Sequence, residues 1–179
     1  MEHYRGYLSV LARLQIGRRL QGKADAADLV QETFLEAHRN FDGFRGATSA
    51  ELACWLRQIL AGQLAHLVRR YLGTKRRDVR LERDMAGELD QSSQALDRSL
   101  FARGSSPSQR ATRREQGVRL ANALELLPAD YRDVLVLRHL EGLTFPEVAR
   151  RMGRSLDSVE KLWVRALDRL RNTMGGSSD

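Results

Sequence analysis

Residues 127–171 hold a dense run of helix-boundary signals, and these leave the chain little freedom over what it forms there. Leu127-Pro-Ala-Asp-Tyr-Arg opens a helical run to Leu140, which breaks at Glu141-Gly. Thr144 and Glu147 have the spacing of a capping box, in which each side chain satisfies an orphan amide at a helix start. Pro146 falls in the first turn, where a missing N–H costs nothing. Gly142 and Gly153 stand where helices end in a left-handed residue, and a long last helix follows from Ser155. Two short helices joined by a tight Gly-containing turn, the second rich in polar residues, make the pattern of a helix-turn-helix.

The last helix sorts its faces by helical spacing. Leu156, Val159, Leu162, Trp163, Ala166, Leu167 and Leu170 fall on one side and are expected to pack inward. Asp157, Lys161, Val164 and Asp168 lie opposite, flanked by Ser158 and Arg165 on one edge and Glu160 on the other. A valine in the middle of a polar face suits a major groove, where it can touch a thymine methyl while Lys161 and Arg165 reach guanine or phosphate.

The 179 residues suffice for one ordinary domain or two small ones. The net charge of +7 is uneven, because in residues 1–77 basic side chains outnumber acidic ones 13 to 7. That excess points to a second surface facing a polyanion. Cys54 is the only cysteine, so no internal disulfide can form and a reducing compartment is expected. No apolar run nears the roughly 20 residues a membrane span needs, and Met1-Glu-His-Tyr-Arg-Gly-Tyr lacks the apolar core of a signal peptide. A cytoplasmic protein is the expectation. Apolar residues repeat at three and four rather than at two, so the expected fold class is all-α.

A first helix is expected over residues 2–20, with Tyr4, Tyr7, Leu8, Leu11 and either Leu14 or Gln15 on its inner stripe, closed by Gly22. Asp25 is a good N-cap for a second helix reaching Asn40, with Val30, Phe34, Ala37 and Phe41 inward. Asp28, Glu32 and Glu36 recur every four residues on that helix as an acidic ridge. Like charges at this spacing repel, so the ridge costs stability unless a basic surface lies against it. Phe41-Asp-Gly-Phe-Arg-Gly-Ala then forms a loop, Thr48 and Glu51 make another capping box, and a third helix follows. Its stripe runs through Leu52, Trp55, Leu56, Ile59, Leu60, Gln63, Leu64, Leu67 and Val68, with Trp55 expected in the core. Five basic residues lie between Arg69 and Arg77, more than helix capping needs, and they suit a phosphate backbone.

In residues 78–112 Asp and Arg mix and the helical period fades. A linker is expected, flexible in its second half around Gly104-Ser-Ser-Pro, with at most a transient helix over residues 80–98 carrying Leu81, Met85, Leu89 and Leu96. The next helix should begin near Thr112, turn Val118, Ala121, Leu124 and Leu127 inward, and end at Pro128. The tail from Gly175 is expected to be disordered. The division is thus 1–77, a linker 78–112, 113–174 and a tail 175–179: two small helical domains joined by a flexible linker.

Six stretches carry a family resemblance. Asp28-Leu-Val-Gln-Glu-Thr-Phe-Leu-Glu-Ala, Phe41-Asp-Gly-Phe-Arg-Gly and Trp55-Leu-Arg-Gln-Ile resemble region two of bacterial RNA polymerase sigma factors. Leu127-Pro-Ala-Asp-Tyr-Arg-Asp-Val-Leu, Gly142-Leu-Thr-Phe-Pro-Glu-Val-Ala and Ser158-Val-Glu-Lys-Leu resemble region four. Both in this order, with no other module, are similar to the small extracytoplasmic-function (ECF) group of the sigma-70 family.

The resemblance implies a detachable specificity subunit that is not an enzyme and needs no cofactor or metal. Asp28, Gln31, Glu32 and Leu35 would dock on the clamp helices of the polymerase's largest subunit. Region four would meet the flap region. Phe44, Arg45 and Thr48 of the loop, with Arg57, Gln58, Ala61, Arg69 and Arg70 of the third helix, would meet the promoter's minus-ten element. Ser155, Asp157, Ser158, Glu160, Lys161, Val164 and Arg165 would read the minus-thirty-five element. An anti-sigma protein is a further partner that the resemblance allows. Gly62 and His66 stand where the family commonly has asparagine and aspartate, so the minus-ten sequence of relatives does not carry over. Two other readings compete: a dimeric helix-turn-helix regulator binding a palindrome, and a metal-dependent enzyme using Asp28, Glu32 and Glu36.

Overall fold

The computed structural model describes residues 1–20, 24–72, 79–98 and 107–175, and every regular element among them is helical. In chain order these are α1 (Arg5–Arg19), α2 (Ala26–Arg39), α3 (Ser49–Leu72), α4 (Val79–Arg98), α5 (Pro107–Glu125), α6 (Ala129–Leu135) with a π turn Val136–Leu140, α7 (Phe145–Met152) and α8 (Leu156–Gly175). The all-α expectation holds.

α1 is the hub. It touches α2, α3, α4 and α5, so both Leu14 and Gln15 are buried rather than one of them. Asp25 caps α2 as its pattern predicts, its carboxylate accepting from the Ala27 amide at 2.8 Å. Val30 and Ala37 are buried, Phe34 is half-buried under the Arg5 guanidinium, and Phe41 lies mostly outside the core, at 46% exposure. Phe41 misses its expected place because α2 ends at Arg39 and a short 3-10 turn, Phe41–Gly43, redirects the chain.

The largest correction concerns the expected linker. Residues 79–98 form a packed helix, not a transient one: Met85, Leu89 and Leu96 are fully buried against α3 and α1. Ser92 and Ser93 are buried on the same face, and polar residues at these inward positions interrupt the apolar period that would have announced the helix. Gly104, Ser105 and Ser106 lie outside the described residues, as do Lys75, Arg76 and Arg77 of the basic cluster and the end of the tail.

A buried polar network ties α4 down. Arg57 of α3 is only 6% exposed; its Nε donates to Asp90 of α4 at 2.9 Å and its Nη1 to the Tyr7 hydroxyl of α1 at 2.9 Å. Burial pushes the Tyr7 hydroxyl up from its ordinary range, so it stays protonated and donates to Ser93 at 2.8 Å. Arg19 pairs with Glu88, and Arg69 with Glu82 at 3.3 Å, along the same helix.

α5 begins earlier than expected, at Pro107, and buries Val118, Leu120, Ala121, Ala123, Leu124 and the following Leu127. This arc exceeds one stripe because α5 touches α1, α4 and α8 together. Gly6 permits the α1–α5 crossing, since a Cβ there would lie 2.8 Å from the Asn122 Cα. Beside it Asn122 donates to the His3 carbonyl at 2.9 Å, and Arg13 pairs with Glu125 at 3.1 Å.

Two glycines of one helix separate packing from propensity. Gly6→Ala should destabilise the protein by about 1–3 kcal/mol through overpacking. Gly17→Ala, where nothing lies within 4 Å, should be neutral or stabilising by up to about 1 kcal/mol. Urea unfolding of both variants checks this; equal effects would deny the close crossing.

Candidate nucleic-acid interface

The helix-turn-helix is built as its punctuation predicts. The Thr144 amide donates to a Glu147 carboxylate oxygen at 2.7 Å, and Pro146 sits in the first turn of α7. Gly153 lies at φ +64°, with its N–H on the Arg150 carbonyl and that of Arg154 on the Ala149 carbonyl, the reversal of a Schellman end. Gly142 is left-handed at φ +72°. Ser155 then caps α8, its hydroxyl accepting from the Ser158 amide at 3.3 Å.

Val159, Ala166 and Leu170 of α8 are buried, while Leu162, Trp163 and Leu167 are half-buried. Leu156, expected inward, is 44% exposed because it stands in the first turn, beyond the reach of α6. Of the residues expected to read DNA on this helix, Ser155, Asp157, Glu160, Lys161, Val164 and Arg165 are exposed and Ser158 is partly so. Val164 reaches 52% exposure amid these polar groups. Asp157 and Lys161 pair at 2.9 Å across one turn, which uses one of the three ammonium donors.

The N-terminal surface matches the expected residues less well. Phe41, Phe44 and Trp55 form an aromatic trio, with Phe44 and Trp55 centroids 5.0 Å apart and Phe41 about equally far from both at 6.1 and 6.2 Å. Gly46 makes room for it, as a Cβ there would stand 2.7 Å from Phe44 Cε2. Trp55 is half-buried in this trio rather than deep in the core. Thr48 is committed to its capping box, its hydroxyl accepting from the Glu51 amide at 3.2 Å. Arg45, Gln58 and Arg70 are exposed.

Three members of the set need correction. Arg57 belongs to the buried network just described, and Ala61 is 3% exposed beneath α4. Arg69 is paired with Glu82. All three follow from one cause: α4 covers the α3 face that an unpacked linker would have left open.

Asp28, Gln31, Glu32 and Leu35 are all exposed on α2, Leu35 at 46%. Among the described residues no hydrogen bond or ion pair holds Asp28 or Glu32, whereas Glu36 accepts from Asn40 at 2.7 Å. The four residues form one wall of a groove of about 600 Å³. Gln63, His66, Leu67, Arg70 and Tyr71 of α3 form the other. This second wall escaped the sequence pattern; the available signal was Tyr71, an aromatic beside a basic helix end. No group of three His, Cys, Asp or Glu side chains among the described residues is placed to hold a metal ion. No helix among them is long and apolar enough to cross a membrane.

Residues 1–74 match the family described as Sigma-70 region 2, and residues 117–170 match Sigma-70, region 4. The chain belongs to the sigma-70 family. Its relatives place it in the ECF group of that family. It is 28% identical over 165 residues to the ECF RNA polymerase sigma factor SigE of Mycolicibacterium smegmatis, covering 92% of this chain and 58% of that one. It is 28% identical over 154 residues to the ECF RNA polymerase sigma-E factors of Salmonella typhimurium and Escherichia coli, covering 83% of this chain and 73% of theirs. A solved complex of sigma factor RpoE with anti-sigma factor NepR from Bartonella quintana aligns over 98% of this chain and 93% of that one. Its identity of 20% and TM-score of 0.33 are too low to bear on this chain.

The two capping boxes make stability pH-dependent. The Ala47 amide, then the Thr48 hydroxyl and amide, hold Glu51 below its ordinary 4.5, and the Thr144 hydroxyl and amide do the same for Glu147. Depressed folded values mean that this stabilisation is present above about pH 4.5 and is lost as pH falls through them. Thermal melts between neutral pH and about pH 3 should show the loss. Glu51→Gln, which keeps the acceptor without the titration, should flatten its share. An unchanged profile would assign the acid sensitivity elsewhere.

Proposed function

We propose that this chain is a promoter-specificity subunit: it binds core RNA polymerase through the α2 ridge and directs initiation by engaging two promoter elements. The observation that carries the reading is the pair of carboxylates, Asp28 and Glu32, without partners among the described residues, beside exposed Leu35 on one wall of an open groove. Carboxylates that repel one another along a helix are stabilised when a basic helix lies against them. The groove shape adds a second wall to the docking surface, so Tyr71 joins the α2 residues in it.

The aromatic trio and exposed Arg45, Gln58 and Arg70 support capture of an unpaired strand at the downstream element. Holding a bubble open must offset a few kcal/mol of lost stacking and pairing per extruded base. Aromatic faces and arginines supply that without strong sequence preference. The outer face of α8 supports major-groove reading of the upstream element, with Lys161 and Arg165 toward guanine or phosphate and Asp157 or Glu160 accepting from cytosine. Region four reaching the flap region, and an anti-sigma protein as a further partner, belong to the same proposal. The metal-enzyme reading has no ligand set among the described residues to support it.

Reconstitution with core polymerase and promoter DNA tests the proposal. Glu32→Lys should weaken polymerase binding by roughly a hundredfold, since like charges across an interface cost several kcal/mol, while its circular dichroism and melting temperature stay unchanged. Normal binding would remove the ridge from the interface. Lys161→Ala and Arg165→Ala should each cost about 1–3 kcal/mol of upstream-element affinity and leave polymerase binding intact; an unchanged promoter preference would move the reading face off α8.

A further inference from the structure

The helix-turn-helix is fastened at one point where three of its elements meet. The Trp163 indole N–H of α8 donates to His139 Nε2 at 3.0 Å, and the two rings stack with centroids 6.1 Å apart. Phe145, at the start of α7, meets the indole edge-on at 5.4 Å. The Arg138 guanidinium lies over Phe145 at 5.1 Å and also donates to the Leu143 carbonyl at 3.3 Å. His139 itself sits on the π turn after α6, and widened turns of this kind cluster at functional sites.

An indole N–H can only donate, so His139 Nε2 must be an unprotonated acceptor, with the ring proton on Nδ1. Protonation turns that nitrogen into a donor and sets two donors face to face. Trp163 lies immediately before Val164 and Arg165 on the same helix, so its anchor fixes the rotation at which those two side chains enter a groove. A recognition helix works only within about half an ångström of its productive position.

We propose that the His139–Trp163 hydrogen bond positions α8 for upstream-element reading, and that protonation of His139 releases it, so that reading weakens in acid. This inference rests on the promoter reading above. His139 is a positioning residue, argued to act through Trp163. The charged group acting on the ring is Arg138 of its own turn, while α7 and α8 present the uncharged rings of Phe145 and Trp163. His139 keeps part of its ring at the surface, and partial burial first, with Arg138 second, holds the imidazole below its ordinary 6.5, so the neutral acceptor is the form at neutral pH. The bond is therefore intact above about pH 6.5 and is lost as pH falls through the lower folded value.

The full-length protein serves for two measurements. In the first, the Trp163 indole proton, assigned by its loss in Trp163→Phe, is followed by NMR from about pH 8 to about pH 5. It should shift in one step in the wild type and stay still in His139→Gln, whose carbonyl accepts without titrating. In the second, affinity for an upstream-element duplex in holoenzyme is measured over the same range. The wild type should lose roughly fivefold in acid, the factor for one net hydrogen bond of about 1 kcal/mol. His139→Gln should keep the neutral-pH affinity throughout, and His139→Phe, which keeps a ring but no acceptor, should be weak at every pH. An indole proton that does not titrate, or a His139→Gln variant with the wild-type pH profile, overturns the inference. Failure of every variant and of the wild type to bind the duplex at neutral pH would overturn the promoter reading instead, with the indole titration unaffected.

Discussion

A guanidinium taken out of water must be paired, and the first half of this molecule is arranged around one. Arg57, on the inner side of α3, finds its partners on two other helices, Asp90 on α4 and Tyr7 on α1. Removing one partner of such a group leaves an uncompensated charge, a cost of several kcal/mol, while the intact network fixes how three helices meet. Asp90 remains about half exposed, so the pair keeps some contact with water and is cheaper than a fully dry one. With α4 thus locked over one face of α3, α2 occupies another, and the groove between α2 and α3 remains open to solvent.

The second half is joined to the first through α5. This helix packs on α1 at the Gly6 crossing and on α8 at its other side, so it touches helices of both matched regions. The two expected surfaces consequently differ in chemistry as well as in place. α2 exposes carboxylates that have no partner among the described residues, whereas the α8 face mixes Lys161 and Arg165 with Asp157, Glu160 and a bare valine. Net charge explains neither surface; local charge placement does.

How far these features could be read beforehand depended on the range of the interaction. Asp25, Thr48–Glu51, Thr144–Glu147, Gly142 and Gly153 work within one helical turn, so their spacing alone announced them. The inner and outer faces of α8 followed from period for the same reason, apart from Leu156 at its unsupported first turn. α4 failed that test because Ser92 and Ser93 occupy inward positions, and Ser93 meets its partner only in Tyr7 of α1. Arg57 and Ala61 then looked like outer residues, since nothing local tells a helix that a fourth one will cover it. Phe41 and Trp55 were expected in the core and instead share a half-exposed cluster with Phe44, because the 3-10 turn after α2 decides where the loop lies.

The sequence by itself determined that the chain is helical, where most of its helices start and stop, and which side of the last helix faces outward. These depend on backbone amides, caps and a 3.6-residue period, all satisfied within a few neighbours. Only the tertiary structure decided that residues 79–98 are a structural helix, that Arg57 is buried rather than offered to DNA, and that α3 supplies a second wall to the acidic groove. Each of those depends on contacts between residues far apart in the chain, where burial is set by what arrives from elsewhere and no local pattern records it.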